Sequence, residues 1–397
     1  MPHLHLDFET FSEADLKKVG AYRYAFDPST EILCAAMAFD DEEPVVWYPG
    51  VEEQESFSPK LNVDWQRYWD ALEDPSVLIY CHNAMFEMSI CQVLLQKTWG
   101  LPCPDLSRFR CTMSLARRAS LPAKLEKLAE VLELEAKKDN RGKALIKKFS
   151  CLPTRATKAN PTMKRIRPED DPEAFAEFCA YCAQDVRVEQ QVSKRLAYFD
   201  EPINNANYSL DAVINARGVP VNLPALRHAQ SLIEEETAIV SAKFRELCGF
   251  EVTQNARLLE WINQRENFQL PNLQAETVDS FLDNHAHLSD VREEVQALRL
   301  KQSIAYASIK KVATMLACAG PHDNRIRGML NHHGATTGRW TASLVQFQNM
   351  KRPTVNDTEG AYAMICDGCS REMLEICYGP VLEVISSCIR HFVHDCP

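Results

Sequence analysis

In the opening stretch LHLDFETFS (Leu4 to Ser12), Leu4, Leu6 and Phe8 alternate with His5, Asp7 and Glu9. A period of two predicts a β-strand with one apolar face, from whose other side Asp7 and Glu9 project together. ILCAAMAF (Ile32 to Phe39) and PVVWY (Pro44 to Tyr48) also read as strands. The acidic DDEE between them reads as a turn, so the first three strands are expected to form an antiparallel meander. VLIYCHN (Val77 to Asn83) is a fourth strand that runs into the helix-like AMFEMSICQVLLQ. Apolar spacing predicts a helix over Lys124 to Leu134. A long amphipathic helix is expected over DPEAFAEFCAYCAQDVRVEQQVSKRLAYF, with Pro172 in its first turn. Strands first and helices afterwards predict an α/β domain on a mixed sheet. The stretch from Asn204 to Ala319 reads almost wholly helical, which puts a domain boundary near Glu201 and Pro202.

The length of 397 residues allows two or three domains. The start MPHLHLD has no basic region followed by an apolar run, and no segment approaches the length of a membrane span. A cytoplasmic protein without a membrane partner is the expectation. The 15 cysteines are odd in number and spread along the chain, so reduced, mostly buried thiols are expected rather than a disulfide framework. The net charge of −11 argues against a nucleic-acid partner, but its distribution argues the other way. Between Lys137 and Arg167 stand eleven Lys or Arg, Lys143, Lys147 and Lys148 among them, and one acid, Asp139. Such a segment can form a local phosphate-binding surface, or a solvated loop and helix face.

Two like charges on one strand face become stable together if cations sit between them, and hard divalent ions need several oxygen ligands. HNAMFE offers Glu87, one turn into the helix after the fourth strand. YCAQD offers Asp185 four residues after Tyr181, on the same face of the last helix. Four carboxylates converging on one sheet edge imply metal.

DFE, HNAMFE and YCAQD resemble, in order and approximate spacing, the three motifs of the DEDD superfamily of 3′-5′ exonucleases, in the subclass with a tyrosine in the third motif. That resemblance implies an RNase H-like fold and two catalytic divalent ions, Mg²⁺ or Mn²⁺. Asp7 and Glu9 match the first-motif metal ligands, with Glu9 also contacting the water. Glu87 stands where the second-motif acid, usually Asp, belongs; Asp185 matches the third, and Tyr181 the residue that orients the attacking water. The implied activity is release of nucleoside 5′-monophosphates from DNA 3′ ends. Single-stranded or frayed termini are the expected substrates, because only an unstacked end reaches such a pocket. Phe11 and Phe86 are candidates to stack on the terminal base, with core packing the plainer reading of Phe86. Asn83, in the same motif as Phe86, is a further candidate DNA contact.

The second half is similar to family A DNA polymerases, the DNA polymerase I group, especially phage and prophage members. YSLDAVINARGVPVN (Tyr208 to Asn222) resembles the junction before their polymerase domain. LRLKQSIAYASIKKV (Leu298 to Val312), with Lys301, resembles the thumb helices that track the duplex backbone. HHGATTGRWTASLVQFQNMKRP (His332 to Pro353) resembles the opening of the palm, where Arg339 would approach phosphates and Gln348 and Asn349 would lie near the primer duplex. The resemblance divides the chain into an exonuclease domain over 1–200, a thumb-like helical region over 201–324 and an incomplete palm-like start over 325–397. No DYS-like palm strand or fingers helix follows Pro353, and the likeness of VHDC, with Asp395, to a last palm motif is read as accidental. Polymerisation by this chain alone is not expected. The alternative to a proofreading nuclease is a DNA-binding piece of a split or truncated polymerase that pairs with a separate palm and fingers subunit. CDGC (Cys366, Cys369) with His391, His394 and Cys396 has zinc-like spacing, but buried thiols in helices are the favoured reading.

Overall fold

The computed structural model describes residues 2–50, 63–135, 142–157, 160–265, 269–288, 291–305 and 307–394. The chain forms two compact units, residues 1–219 with 317–346, and residues 220–316 with 347–397. Helix α8 (Pro202–Arg217), which the sequence assigns to the helical region, lies in the first unit.

The first unit is built on a five-stranded mixed sheet. Its strands are β1 (His3–Phe11), β2 (Glu31–Phe39), β3 (Val45–Trp47), β4 (Leu78–Cys81) and β5 (Phe109–Cys111), in the order β3-β2-β1-β4-β5. The first three are antiparallel, as the meander predicts, while β4 and β5 run parallel to β1. Several elements escape sequence reading, among them the helices Trp65–Glu73 and Thr112–Arg118, strand β5 and the helix Leu16–Ala25. Strand β5 is three residues long, too short for alternation to register. Helix α1 (Leu16–Ala25) is broken by Gly20 at φ 79°, so its apolar residues keep no single helical face.

Alternation along β1 and β2 sorts two cores. Leu4, Leu6, Phe8, Ala35, Met37 and Phe39 face one side, where α2 (Trp65–Glu73) and α3 (Met85–Trp99) pack. The other side carries Cys34, Ala36, Ala38 and Phe11. Against them lie α6 (Gly142–Phe149) and the long α7 (Pro172–Arg195), through Phe149, Phe178, Tyr181 and Cys182. Small side chains at 34, 36 and 38 let α7 come close to the strands. The start of α7 follows from sequence: Asp171 accepts the Ala174 amide at 3.1 Å and Pro172 occupies the first turn. Between them, α4 (Thr112–Arg118) and α5 (Leu125–Val131) pack beside the C-terminal half of α7 in a satellite cluster with Val188 and Val192.

The second unit is helical. The long α9 (Leu223–Cys248) packs through its C-terminal half with α10 (Asn255–Asn263), α11 (Ala275–Asn284) and α12 (Glu293–Ser303) around Phe244, Leu258, Ile262, Val295 and Leu298. Following α13 (Lys310–Cys318), three short helices, α14 (Thr358–Cys366), α15 (Arg371–Tyr378) and α16 (Val381–Cys388), also pack against α9. Among the described residues no helix is long and apolar enough to cross a membrane. The described cysteines are all unpaired; Cys34, Cys81, Cys91, Cys111, Cys182, Cys318 and Cys388 are buried, while Cys103, Cys151, Cys366 and Cys377 are exposed.

Candidate active site

The face of β1 that meets α7 carries His5, Asp7, Glu9 and Phe11, and the facing helix carries Tyr181, Asp185 and Glu189 at steps of four. Asp7 stands opposite Ala36 and Glu9 opposite Cys34 in the β1–β2 register, and a bulge follows Glu9. His5 Nδ1 is hydrogen-bonded to Glu189 Oε2, both side chains being buried. The Cys182 thiol lies 3.5 Å from Asp7 Oδ2 and 3.6 Å from the Asp7 carbonyl. The Tyr181 hydroxyl is hydrogen-bonded to Asp185, one turn on. Burial raises the Tyr181 phenol far above its usual range, and the charges of Asp185 and Glu9 add to the effect.

Glu87 belongs to α3, which packs on the sheet's other side. Strand β4 ends at Cys81, Asn83 turns the chain at φ 72°, and α3 begins two residues later with Glu87 in its first turn. The side chain is 2% exposed and its Oε2 has no hydrogen-bond partner among the described residues. Burial first, then the charge of Asp7 and more weakly that of Glu9, hold its carboxyl well above the carboxylate range. Glu87 therefore senses Asp7 and Glu9 electrostatically, as Tyr181 senses Asp185, Glu9 and Asp7. Among the described residues, however, no three His, Cys, Asp or Glu side chains stand close enough together to hold a metal ion.

The remaining candidates divide. Phe11 is not available to stack on a base: it is buried in the core against α7, and the Arg165 guanidinium lies over its ring at 3.4 Å, paired in turn with Glu31. Phe86 is partly buried beside Tyr24, at 6.1 Å between ring centroids. With Asn83 it lines a cleft of about 260 Å³, together with Lys17, Arg117, Asp211 and His332. Lys143 and Lys147 are exposed on α6, and Lys148 is paired with Asp171. Lys137, Lys138, Asp139, Arg141 and Lys158 lie outside the described residues. Arg339 is exposed in the loop between two short paired strands, Leu330–Asn331 and Thr341–Ala342. In the second unit, Gln348 and Asn349 are exposed, whereas Lys301 is turned inward, its ammonium donating to Asn255 Oδ1 at 2.6 Å and the Val252 carbonyl at 3.1 Å. His391 and His394 are hydrogen-bonded to Thr358 and Tyr362, and Cys396 and Asp395 lie outside the described residues.

Sequence reasoning passes over His5, Glu189, Cys182 and Arg165. Two of these have a readable signal: His5 is two residues before Asp7 on a strand, and Glu189 is one turn beyond Asp185 on a helix. Cys182 has none, because its neighbour Asp7 is distant in sequence.

No family model matches the chain. It is similar along nearly its whole length to the DNA polymerase of Bacillus phage SP02, at 34% identity over 394 residues, 98% of this chain and 57% of that protein. The two are homologous, and this chain spans a little over half the length of the phage polymerase. Among solved structures, the POL domain of Pol1 from M. smegmatis, in complex with DNA primer-template and dNTP, superposes with a TM-score of 0.49 at 14% identity, covering 89% of this chain and 53% of that one.

Proposed function

We propose that the chain is the 3′-5′ exonuclease portion of a family A DNA polymerase, with an RNase H-like domain acting on DNA 3′ ends. The observation that carries the reading is the facing of two polar stripes, Asp7 and Glu9 on β1 against Tyr181 and Asp185 on α7, with Glu87 buried in the first turn of α3 and raised by the charges of Asp7 and Glu9. Homology to the phage polymerase supports the same reading.

The donor set suits a hard divalent cation: four carboxylates, one of which has a buried oxygen without a protein partner among the described residues. Asp7, Glu9, Glu87 and Asp185 are the residues that would hold two ions. When bound, such ions acidify a water and stabilise the leaving 3′ oxygen. The chain's own groups do the rest. Tyr181, anchored through Asp185, orients the attacking water in line with the scissile phosphorus. Water oxygen bonds to phosphorus, the P–O3′ bond breaks, the shortened strand's O3′ takes up a proton, and a nucleoside 5′-monophosphate leaves. Asn83 and Phe86 border the approach of the frayed strand. His5 and Glu189 fix β1 against α7 and so keep the two stripes in register.

Incubation of 3′-labelled single-stranded DNA with Mg²⁺ or Mn²⁺ tests this. Mononucleotide release is expected, lowered more than about 100-fold by Asp7→Ala or Asp185→Ala. Release that is indifferent to both substitutions and to chelator would overturn the assignment.

A further inference from the structure

The basic segment contributes more than charge. Its helix α6 begins at Gly142, and a Cβ built there would lie 2.1 Å from Cε2, 2.5 Å from Cζ and 2.6 Å from Cδ2 of Tyr181. Ordinary carbon contacts are roughly 3.5–4.0 Å, so any side chain at 142 must push the ring away by more than about 1 Å. Glycine weakens a helix by roughly 0.5–1 kcal/mol relative to alanine, and Gly142 is not among the residues of positive φ. Conformational freedom is therefore not its use here; close approach is. The contact falls on the half of the ring that bears the hydroxyl. On α7 the ring lies parallel to Phe178, with centroids 6.3 Å apart and planes within 1°. Phe149, at the other end of α6, stacks on Phe178 at 5.6 Å. Helix α6 thus grips the aromatic face of α7 at both its ends, and its first residue touches the side chain bonded to Asp185.

We propose that Gly142 is a positioning residue, whose missing side chain lets the first turn of α6 set the Tyr181 phenol for hydrolysis at the 3′ end. The inference rests on the exonuclease reading above. It extends that reading to a residue that touches neither DNA nor metal, and it makes α6, with Lys143 and Lys147 on its exposed side, the element that joins strand binding to the water-orienting group.

The test compares kcat and KM for mononucleotide release from single-stranded DNA with Mg²⁺ in four proteins: wild type, Gly142→Ala, Tyr181→Phe and the double variant. Gly142→Ala is expected to lower kcat about 10- to 100-fold with KM changed less than about twofold, the cost of misplacing a reacting group by an ångström. In the Tyr181→Phe background no hydroxyl remains to be misplaced, and the same substitution should change kcat less than about threefold. Equal losses in the two backgrounds, or wild-type kcat in Gly142→Ala, would overturn the inference. Should Gly142→Ala be too unstable to assay, melting temperatures decide. Gly142→Ala combined with Tyr181→Ala should melt with Tyr181→Ala alone, and a further drop in the double variant would contradict the inference. Asp7→Ala, run alongside, keeps the two claims apart. Retained hydrolysis there removes the exonuclease reading, whereas abolished hydrolysis there with an indifferent Gly142→Ala removes only this inference.

Discussion

Asp211 on α8 is 3% exposed and accepts from Trp340 Nε1 at 2.7 Å and from Asn215 Nδ2 at 3.1 Å. Burial nevertheless outweighs these bonds and raises its carboxyl to about 6. Its contribution to stability is therefore full below the unfolded carboxylate range, near pH 4, and is lost as pH rises through about 6. His332, in the same cleft and bonded to Ser114 at 2.6 Å, is lowered to about 4, chiefly by burial. The fold holds it neutral, so its contribution is full above about 6.5 and is lost as pH falls toward 4. The two trends oppose each other over the same window. Asp211→Asn should remove one of them, making stability rise with pH from 4 to 6 by about 1–3 kcal/mol more than in wild type, as read from urea midpoints. An unchanged pH profile would show that Asp211 is ionised throughout. Legibility at this scale follows sequence distance. Asp7, Glu9, Tyr181 and Asp185 were readable because each pair sits within one element, at the spacing of its own period. The unsuitability of Phe11 was not, because Arg165, which covers its ring, comes from 154 residues further on.

Among elements, the packing of α7 on β1 and β2 decides whether the acids share a corner. Ala36, fully buried and opposite Asp7, is one of three small residues over which α7 lies. Ala36→Leu adds methylenes to a closed interface, which costs roughly 1–3 kcal/mol and lifts the helix from the strand. The urea midpoint should fall with an unchanged slope, and the proposed nuclease activity should fall further than stability. A variant of wild-type midpoint would mean that the interface is loose. The run ILCAAMAF was readable as a strand from its apolar continuity, but the reason for its small residues lay in a helix some 140 residues later. The bulge after Glu9, which brings Thr10 opposite Ile32, leaves no mark in the alternation of LHLDFETFS.

At the scale of the molecule, a net charge of −11 repels DNA, so the proposed binding would have to be local. Lys143 and Lys147 are the exposed cations of α6, on the element that carries Gly142 against Tyr181. Lys143→Glu with Lys147→Glu should weaken single-strand binding severalfold at low salt and flatten the salt dependence by about one unit of slope for each phosphate no longer neutralised. Fluorescence anisotropy at two salt concentrations measures both, and an unchanged slope would move the binding surface elsewhere. The main strands and the long helices were readable because hydrophobic period survives in short windows, whereas the short β5 and the broken α1 were not. The division into units was not, since residues 317–346 join the first unit across a long helical insertion. Above all these stands the claim that carboxylates from β1, α3 and α7 share divalent ions. Anomalous diffraction from crystals grown with Mn²⁺ tests it most directly. Two peaks roughly 4 Å apart are expected, bounded by Asp7, Glu9, Glu87 and Asp185 and vanishing together in Asp7→Ala. Ordered manganese elsewhere on the protein, with none at these four side chains, would contradict the account.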